Sequence, residues 1–290
     1  MRRCDRCPGD RANRRVTFAS PANGEPEIHE HRNRMPRLKK LPAALIFDMD
    51  GVMIDSNPFH LAKWVDLLTH HGIPFDPKTL PQQLFGQRND SALRFFLGRI
   101  SRTESRRLSE ELEATFRSAF KPHARPLPGL RALIRQARRA GIPMAVASSA
   151  MVKNIEFIVD ALKLRPYFDC LVSGDHVAHP KPHPEIYLKA ARMLKLPPED
   201  CVAFEDSFVG IEAAKNAGMK CVGIGSTFPL ADLRRGTRAD LVVKGFEQLT
   251  LTRVRRLFEG PRVAPRRSNE LRGLRNAERL TKNRSGAPPA

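Results

Sequence analysis

The sequence predicts an α/β fold, a doubly wound Rossmann-like parallel sheet with a small all-helical cap inserted in it. Two observations carry that prediction. From about residue 128 onward, apolar strand-like runs alternate with helical segments, the signature of a parallel sheet covered on both faces. Between the first strand and that alternation lies a stretch of about 70 residues with helical periodicity alone.

The first strand, about residues 43–48, is an apolar run that ends in two carboxylates, Asp48 and Asp50, with Gly51 breaking it directly afterwards. Residues i and i+2 of a strand leave on the same face, so both acids point one way. Paired carboxylates at the end of a buried strand are costly to desolvate unless a cation or a reaction needs them. In open α/β sheets this carboxyl end is where ligands bind. One such acid can serve as nucleophile and its neighbour as general acid/base.

The inserted helices are expected at residues 58–71, 77–84, 90–99 and 103–120. Pro58 opens the first and Gly72 closes it, and Leu108, Leu112, Phe116 and Phe120 share one face of the last. The core then reads helix 129–140, strand 143–147, helix 151–163, strand 169–173, helix 184–195, strand 201–205, helix 208–217, and strands 220–224 and 240–243. The expected division is a basic extension over 1–40, a core over 41–56 and 126–259, a cap over 57–125 and a basic tail over 260–290.

Three downstream segments complete a chemical pattern. Residues 142–149 form an apolar strand ending in Ser148 and Ser149. Lys181 sits among prolines in Pro-Lys-Pro-His-Pro, and residues 201–207 form a strand ending in Glu205 and Asp206. Carboxylates suit hard Mg²⁺, while a lysine and hydroxyls suit phosphoryl oxygens. Other readings exist for single residues. Ser148 could cap a helix, Glu205 could complement a helix dipole, and Lys181 could be solvated.

The four segments, in this order, resemble the haloacid dehalogenase-like superfamily and within it the β-phosphoglucomutase-like phosphatases. Asp48-Met49-Asp50-Gly51 is similar to the first family motif, Ser148 to the second, Lys181 to the third and Glu205-Asp206 to the fourth. The resemblance spans roughly residues 42–250. It implies Asp48 as nucleophile, forming an aspartyl-phosphate, and Asp50 as general acid/base. It implies Mg²⁺ held by Asp48, Asp50 and Asp206 with Glu205 supporting or sharing ligation. It further implies phosphate contacts from Ser148, Ser149 and Lys181. In the cap, His60 is expected to gate the acid/base or else to lie on a helix surface, and Arg88 and Asn89 are expected near the substrate. The segment Phe-Gly-Gln-Arg-Asn-Asp departs from the Gly-x-Ser-Arg-Glu-Asp wording of true β-phosphoglucomutases. The expected function is therefore a Mg²⁺-dependent phosphatase of small phosphorylated metabolites, sugar phosphates foremost, with a phosphosugar mutase as the alternative.

Composition bounds the rest. The chain has 290 residues and a formal charge of +19. Residues 1–40 carry eleven Lys/Arg against five Asp/Glu, and residues 261–290 carry eight against two, so each end holds +6 and the remaining residues +7. Arginine blocks without apolar periodicity are expected to be disordered. A nucleic-acid-associated protein is the remote alternative, since only these ends are strongly basic. Met35 offers a second translation start shortly before the first strand. No apolar stretch approaches the ~20 residues of a membrane span, and the arginine-rich start lacks the apolar segment of a secretory signal. Cys170, Cys201 and Cys221 lie in apolar runs, as reduced core residues do, and Cys4 and Cys7 form a lone pair without a second one. A cytoplasmic monomer acting on a small phosphorylated metabolite, with no membrane partner, is expected.

Overall fold

A computed structural model describes residues 17–18 and 42–259. The basic tail expected over 260–290, and all of the N-terminal extension but Thr17–Phe18, lie outside the described residues. Seven parallel strands form one sheet: β1 (Thr17–Phe18), β2 (Ala44–Phe47), β3 (Met144–Ser148), β4 (Cys170–Ser173), β5 (Cys201–Glu205), β6 (Lys220–Ile224) and β7 (Leu241–Val243). Their order is β1-β4-β3-β2-β5-β6-β7. β2 is central, paired on one side with β3 (Phe47 beside Val146) and on the other with β5 (Phe47 beside Phe204). The chain leaves β2 toward one half of the sheet and reaches the other half only at β5. The strand ends there form the crevice where such sheets bind ligands.

Alternation along β2 sorts its side chains into two layers. Leu45 and Phe47 pack with helices α5 (Leu130–Arg139) and α6 (Val152–Ala161), whereas Ala44 and Ile46 pack with α7 (Glu185–Leu194) and α8 (Phe208–Asn216). Every residue of β2 through β5 is buried, which explains why these strands read as continuous apolar runs. Phe47 stacks on Phe204 with ring centroids 4.7 Å apart, so the two strands that deliver the acids are locked together one residue below them.

The cap comprises α1 (Asn57–His70), α2 (Leu80–Leu84), α3 (Asn89–Leu97) and α4 (Arg102–Phe120), and it closes a small apolar core of its own around Trp64, Leu68, Leu93 and Leu108. Ser101 caps α4 by accepting from the Glu104 N–H at 3.0 Å. Helix α2 is shorter than its sequence suggests, because residues 77–79 form a turn before Pro81. Two short helices were not expected: α9 (Leu230–Gly236), which follows Pro229, and α10 (Leu251–Arg255), capped by Thr250. Each is too short to show a clear helical period. No described helix is long and apolar enough to cross a membrane.

Candidate active site

The apolar run of β2 stops at Phe47, and the chain turns through Asp48, Met49 and Asp50 to Gly51. Gly51 has φ +71°, and a Cβ there would lie 2.0 Å from Asp206 Oδ2. Only glycine lets the first acidic turn approach the β5 carboxylate this closely.

Asp48 and Lys181 are both buried, and the Lys181 ammonium donates to Asp48 Oδ1 at 2.6 Å and to Glu205 Oε1 at 2.5 Å. The loop that brings the lysine in contains a cis Lys181–Pro182 bond. Glu205 is the most heavily engaged acid of the site. Its Oε1 also accepts from the Tyr187 hydroxyl at 2.7 Å, and its Oε2 accepts from the Asp206 and Ser207 N–H groups and the Ser207 hydroxyl. Gly210 leaves room for that carboxylate, since a Cβ there would touch it at 2.0 Å. Five donors occupy the two oxygens, so Glu205 stands behind Lys181 as its anchor.

Asp206 is oriented from the opposite side. Its Oδ2 accepts from Asn57 Nδ2 at 3.0 Å and from the Thr227 hydroxyl, and Asn57 also donates to Thr227 at 2.6 Å. Carboxylate oxygens of Asp48, Glu205 and Asp206 lie within 4.8 Å of one another. Burial pushes Asp48 up to about 8, with Lys181 pulling down against it and the charges of Glu205 and Asp50 adding to it. Burial, then Glu205 and Asp48, push Asp206 well above the usual carboxylate range. The formal charges explain this: three buried carboxylates face one lysine, leaving two negative charges unbalanced. A divalent cation would supply that deficit, and hard oxygen donors are the set Mg²⁺ takes.

Asp50 is partly buried and belongs to a second pair. Its Oδ1 accepts from the Ser56 hydroxyl at 2.6 Å and lies 3.3 Å from His60 Nε2. Burial works against the charged forms of both, but the attraction outweighs it. Asp50 is held below its usual value by the charge of His60 and the hydrogen bonds from His60 and Ser56. His60 is held above its own by Asp50 and, more weakly, by Glu113. His60 stacks on Phe116 of α4, with centroids 3.9 Å apart, so the imidazole is fixed by the cap and aimed at the core.

Beside these groups lies a cavity of about 850 Å³ between the strand ends and the cap, and Lys181, Glu205 and Asp206 are buried behind its lining. The structure brings Asp48, Asp50, His60, Ser148 and Ser149 to its wall. The Ser148 hydroxyl accepts from the Ala150 N–H at 3.1 Å, and the Ser149 hydroxyl donates to the Gly86 carbonyl of the cap at 2.8 Å. Arg88 and Asn89 also line the cavity, with their polar ends engaged. The Arg88 guanidinium pairs with Asp90 at 3.0 Å and donates to the Val177 carbonyl of the core at 3.1 Å. Asn89 donates to Glu113 Oε1 at 2.6 Å. Ser149 and Arg88 thus latch the cap onto the core.

Sequence reasoning did not single out several of these residues. Ser56 and Asn57 directly follow the first acidic motif, and that adjacency was an available signal. Thr227, Tyr187 and Glu113 carried none, because each reaches the site only through the tertiary fold. Glu113 is buried in α4 and also accepts from Asn154 of α6, which Arg117 holds at 2.5 Å.

Comparison with known proteins agrees with this architecture. The haloacid dehalogenase-like hydrolase family model matches residues 42–218. The chain belongs to the haloacid dehalogenase-like hydrolases. Among curated relatives of this family member, fructose-1-phosphate phosphatase YqaB of Escherichia coli is 33% identical over 186 residues, covering 63% of this chain and 96% of the relative. The β-phosphoglucomutase of Bacillus subtilis is 32% identical over 229 residues, covering 76% of this chain and 97% of the relative. The crystal structure of β-phosphoglucomutase from Clostridium difficile superposes with a TM-score of 0.66 at 28% identity, covering 74% of this chain and 96% of that one. This haloacid dehalogenase-like hydrolase is thus an enzyme of the phosphatase and phosphomutase type.

Proposed function

We propose that the protein is a Mg²⁺-dependent phosphatase of small sugar phosphates that works through an aspartyl-phosphate on Asp48. The observation that carries the reading is the buried Lys181–Asp48–Asp206 cluster, which meets the cavity at Asp48, with Asp50 beside it on a separate hydrogen-bond pair.

In the first step an Asp48 oxygen attacks phosphorus, and the bond from phosphorus to the sugar oxygen breaks. The proton for the departing alkoxide passes through Asp50 from its partner His60, whose charged form the pair favours. In the second step water attacks the same phosphorus, the bond to Asp48 breaks, and Asp50 takes the proton of the water as inorganic phosphate leaves. One difficult displacement becomes two easier ones, and a positioned acid/base contributes roughly 10²–10⁴-fold. Lys181 faces phosphoryl oxygens and holds Asp48 in place, and the hydroxyl and backbone around Ser148 complete the phosphoryl cradle. Asp48, Asp206 and the turn at Asp50 would hold Mg²⁺, which supplies charge stabilisation of the phosphoryl group when bound. Asn57 and Thr227 orient Asp206 for it, and Glu205 serves as the partner of Lys181.

The sugar-phosphate class rests on the relatives' activities and on a cavity of metabolite size. A phosphosugar mutase is the second reading, favoured by the identity to the Bacillus subtilis β-phosphoglucomutase. A mutase must recognise a second phosphate. Here the guanidinium of Arg88, the cap arginine expected near the substrate, is paired with Asp90. That pairing favours hydrolysis. The test is a panel of phosphorylated sugars assayed for phosphate release with and without Mg²⁺. Mg²⁺-dependent release from hexose monophosphates is expected. Conversion of β-glucose 1-phosphate to glucose 6-phosphate faster than phosphate release, with a bisphosphate primer present, would replace the phosphatase by the mutase.

A further inference from the structure

The loop that delivers Lys181 reads His179-Pro180-Lys181-Pro182-His183-Pro184-Glu185. Three prolines in seven residues fix their own φ angles and restrict the residue before each, so its side chains are displayed from a stiff backbone. Lys181 turns inward and is buried, whereas His179 and His183 are exposed. Their rings lie 4.5 Å apart, centroid to centroid. Beside them stands Glu185, the first residue of α7. Its two oxygens accept from the Ala178 and His179 N–H groups at 3.0 and 2.9 Å, and Oε2 lies 2.9 Å from His179 Nδ1. His183 Nδ1 accepts a longer bond, 3.3 Å, from the Glu185 N–H, which keeps that ring over the same end of the helix. One ligand atom from each of the three residues falls within 4.8 Å of the other two.

Glu185 is a prepared ligand. Burial opposes its charge, but the two backbone N–H groups and His179 hold its carboxyl below the usual range. Its backbone bonds fix the direction of the carboxylate, and two carboxylate oxygens offer about four lone-pair sites. The ordering cost of bringing three ligands together is already met by prolines and hydrogen bonds.

We propose that His179, His183 and Glu185 form a second cation site on the outer side of the lysine loop, for a transition-metal dication of the zinc, cobalt or nickel class. Two imidazoles and one carboxylate are the donors such ions take, and Mg²⁺ has little use for imidazole nitrogen. Three protein ligands leave one position of a tetrahedral ion to water. The bound ion replaces the His179–Glu185 hydrogen bond. The loop thus turns the cationic Lys181 inward to the acids and the nitrogen and oxygen donors of the second site outward to solvent. This site stands apart from the phosphatase reading and does not depend on it.

The test is a Co²⁺ titration of the full chain in saturating Mg²⁺, followed by calorimetry and visible absorption. A Cys4→Ser/Cys7→Ser background removes the competing thiol pair. One equivalent of Co²⁺ is expected, with a visible spectrum of nitrogen–oxygen ligation, and it should persist in Asp206→Asn. His179→Ala and His183→Ala should each weaken it by at least about 10–100-fold, the range that even an outer partner's loss costs a metal site. Equal affinity and stoichiometry in both histidine variants, or loss of the equivalent in Asp206→Asn, overturns the site. A crystal of the unaltered chain soaked in Zn²⁺ gives a check free of any substitution. An anomalous peak between His179 and His183 is the expected result, and its absence there contradicts the proposal.

Discussion

The Lys181 ammonium lies 2.6 Å from Asp48 Oδ1, 133 residues away in sequence, and both groups are buried. The site depends on that pair for stability as well as chemistry. Lys181→Met should leave Asp48 and Glu205 buried without their counter-charge. Breaking a buried ion pair from one side costs about 3–5 kcal/mol. Denaturant unfolding of the variant should show a loss of that size, together with loss of turnover. A variant as stable as the parent would mean that the three charges are not desolvated together.

Asn57 and Thr227 touch no substrate in this account and act only by aiming Asp206. Asn57→Leu and Thr227→Val should each weaken Mg²⁺ binding about 10–100-fold, as loss of outer partners does at other metal sites. Turnover at saturating Mg²⁺ should recover most of its parent value. Mg²⁺ activation curves measure this directly, and unchanged half-saturation would remove both residues from the metal's surroundings.

The strand ends were legible in sequence because the physics there is local. An apolar run that stops at Asp48, at Ser148 or at Glu205 announces both the strand and the group it delivers. Lys181 stood out for the same reason, as a lone cation among prolines. The network behind these residues was not legible. Tyr187 meets Glu205 across a helix–sheet contact, Thr227 meets Asp206 from the loop after β6, and Glu113 meets Asn154 across the cap–core boundary. No periodicity encodes such meetings. Arg88 is the instructive case, since its partner Asp90 stands only two residues away. Arg88 lines the cavity, as expected of a residue near the substrate, but a charged neighbour that close competes for its guanidinium.

His60 and Asp50 make a pH prediction with a definite sign. In the Mg²⁺-free protein the His60 imidazole should titrate above its ordinary value of 6.5, as followed by NMR. Its contribution to stability is then fully present below about pH 6.5 and fades as pH rises through the folded value. In Asp50→Asn the attraction is gone while burial remains, so the His60 value should fall. A His60 resonance unmoved by Asp50→Asn would contradict the pairing.

Glu113 ties α4 of the cap to α6 of the core through Asn89 and Asn154. Glu113→Ala leaves the buried amide of Asn154 and the half-buried amide of Asn89 short of an acceptor, and a buried unsatisfied group costs about 1–3 kcal/mol. The isosteric Glu113→Gln should lose less stability, because one amide oxygen remains to accept. Thermal unfolding of the two variants should rank alanine below glutamine, and KM should rise more than kcat falls in both. Equal stability for the two variants would show that the bonds to Asn89 and Asn154 contribute nothing.

The central claim is that Asp48 is the nucleophile. The most direct measurement is rapid acid quench of the enzyme turning over its best sugar phosphate with Mg²⁺, followed by peptide mass analysis. One phosphoryl group is expected on the peptide containing Asp48, released by hydroxylamine as an acyl phosphate is, with neither phosphopeptide nor turnover in Asp48→Asn. Steady phosphate release by Asp48→Asn at the parent rate, with no phosphorylated peptide in either protein, would contradict it.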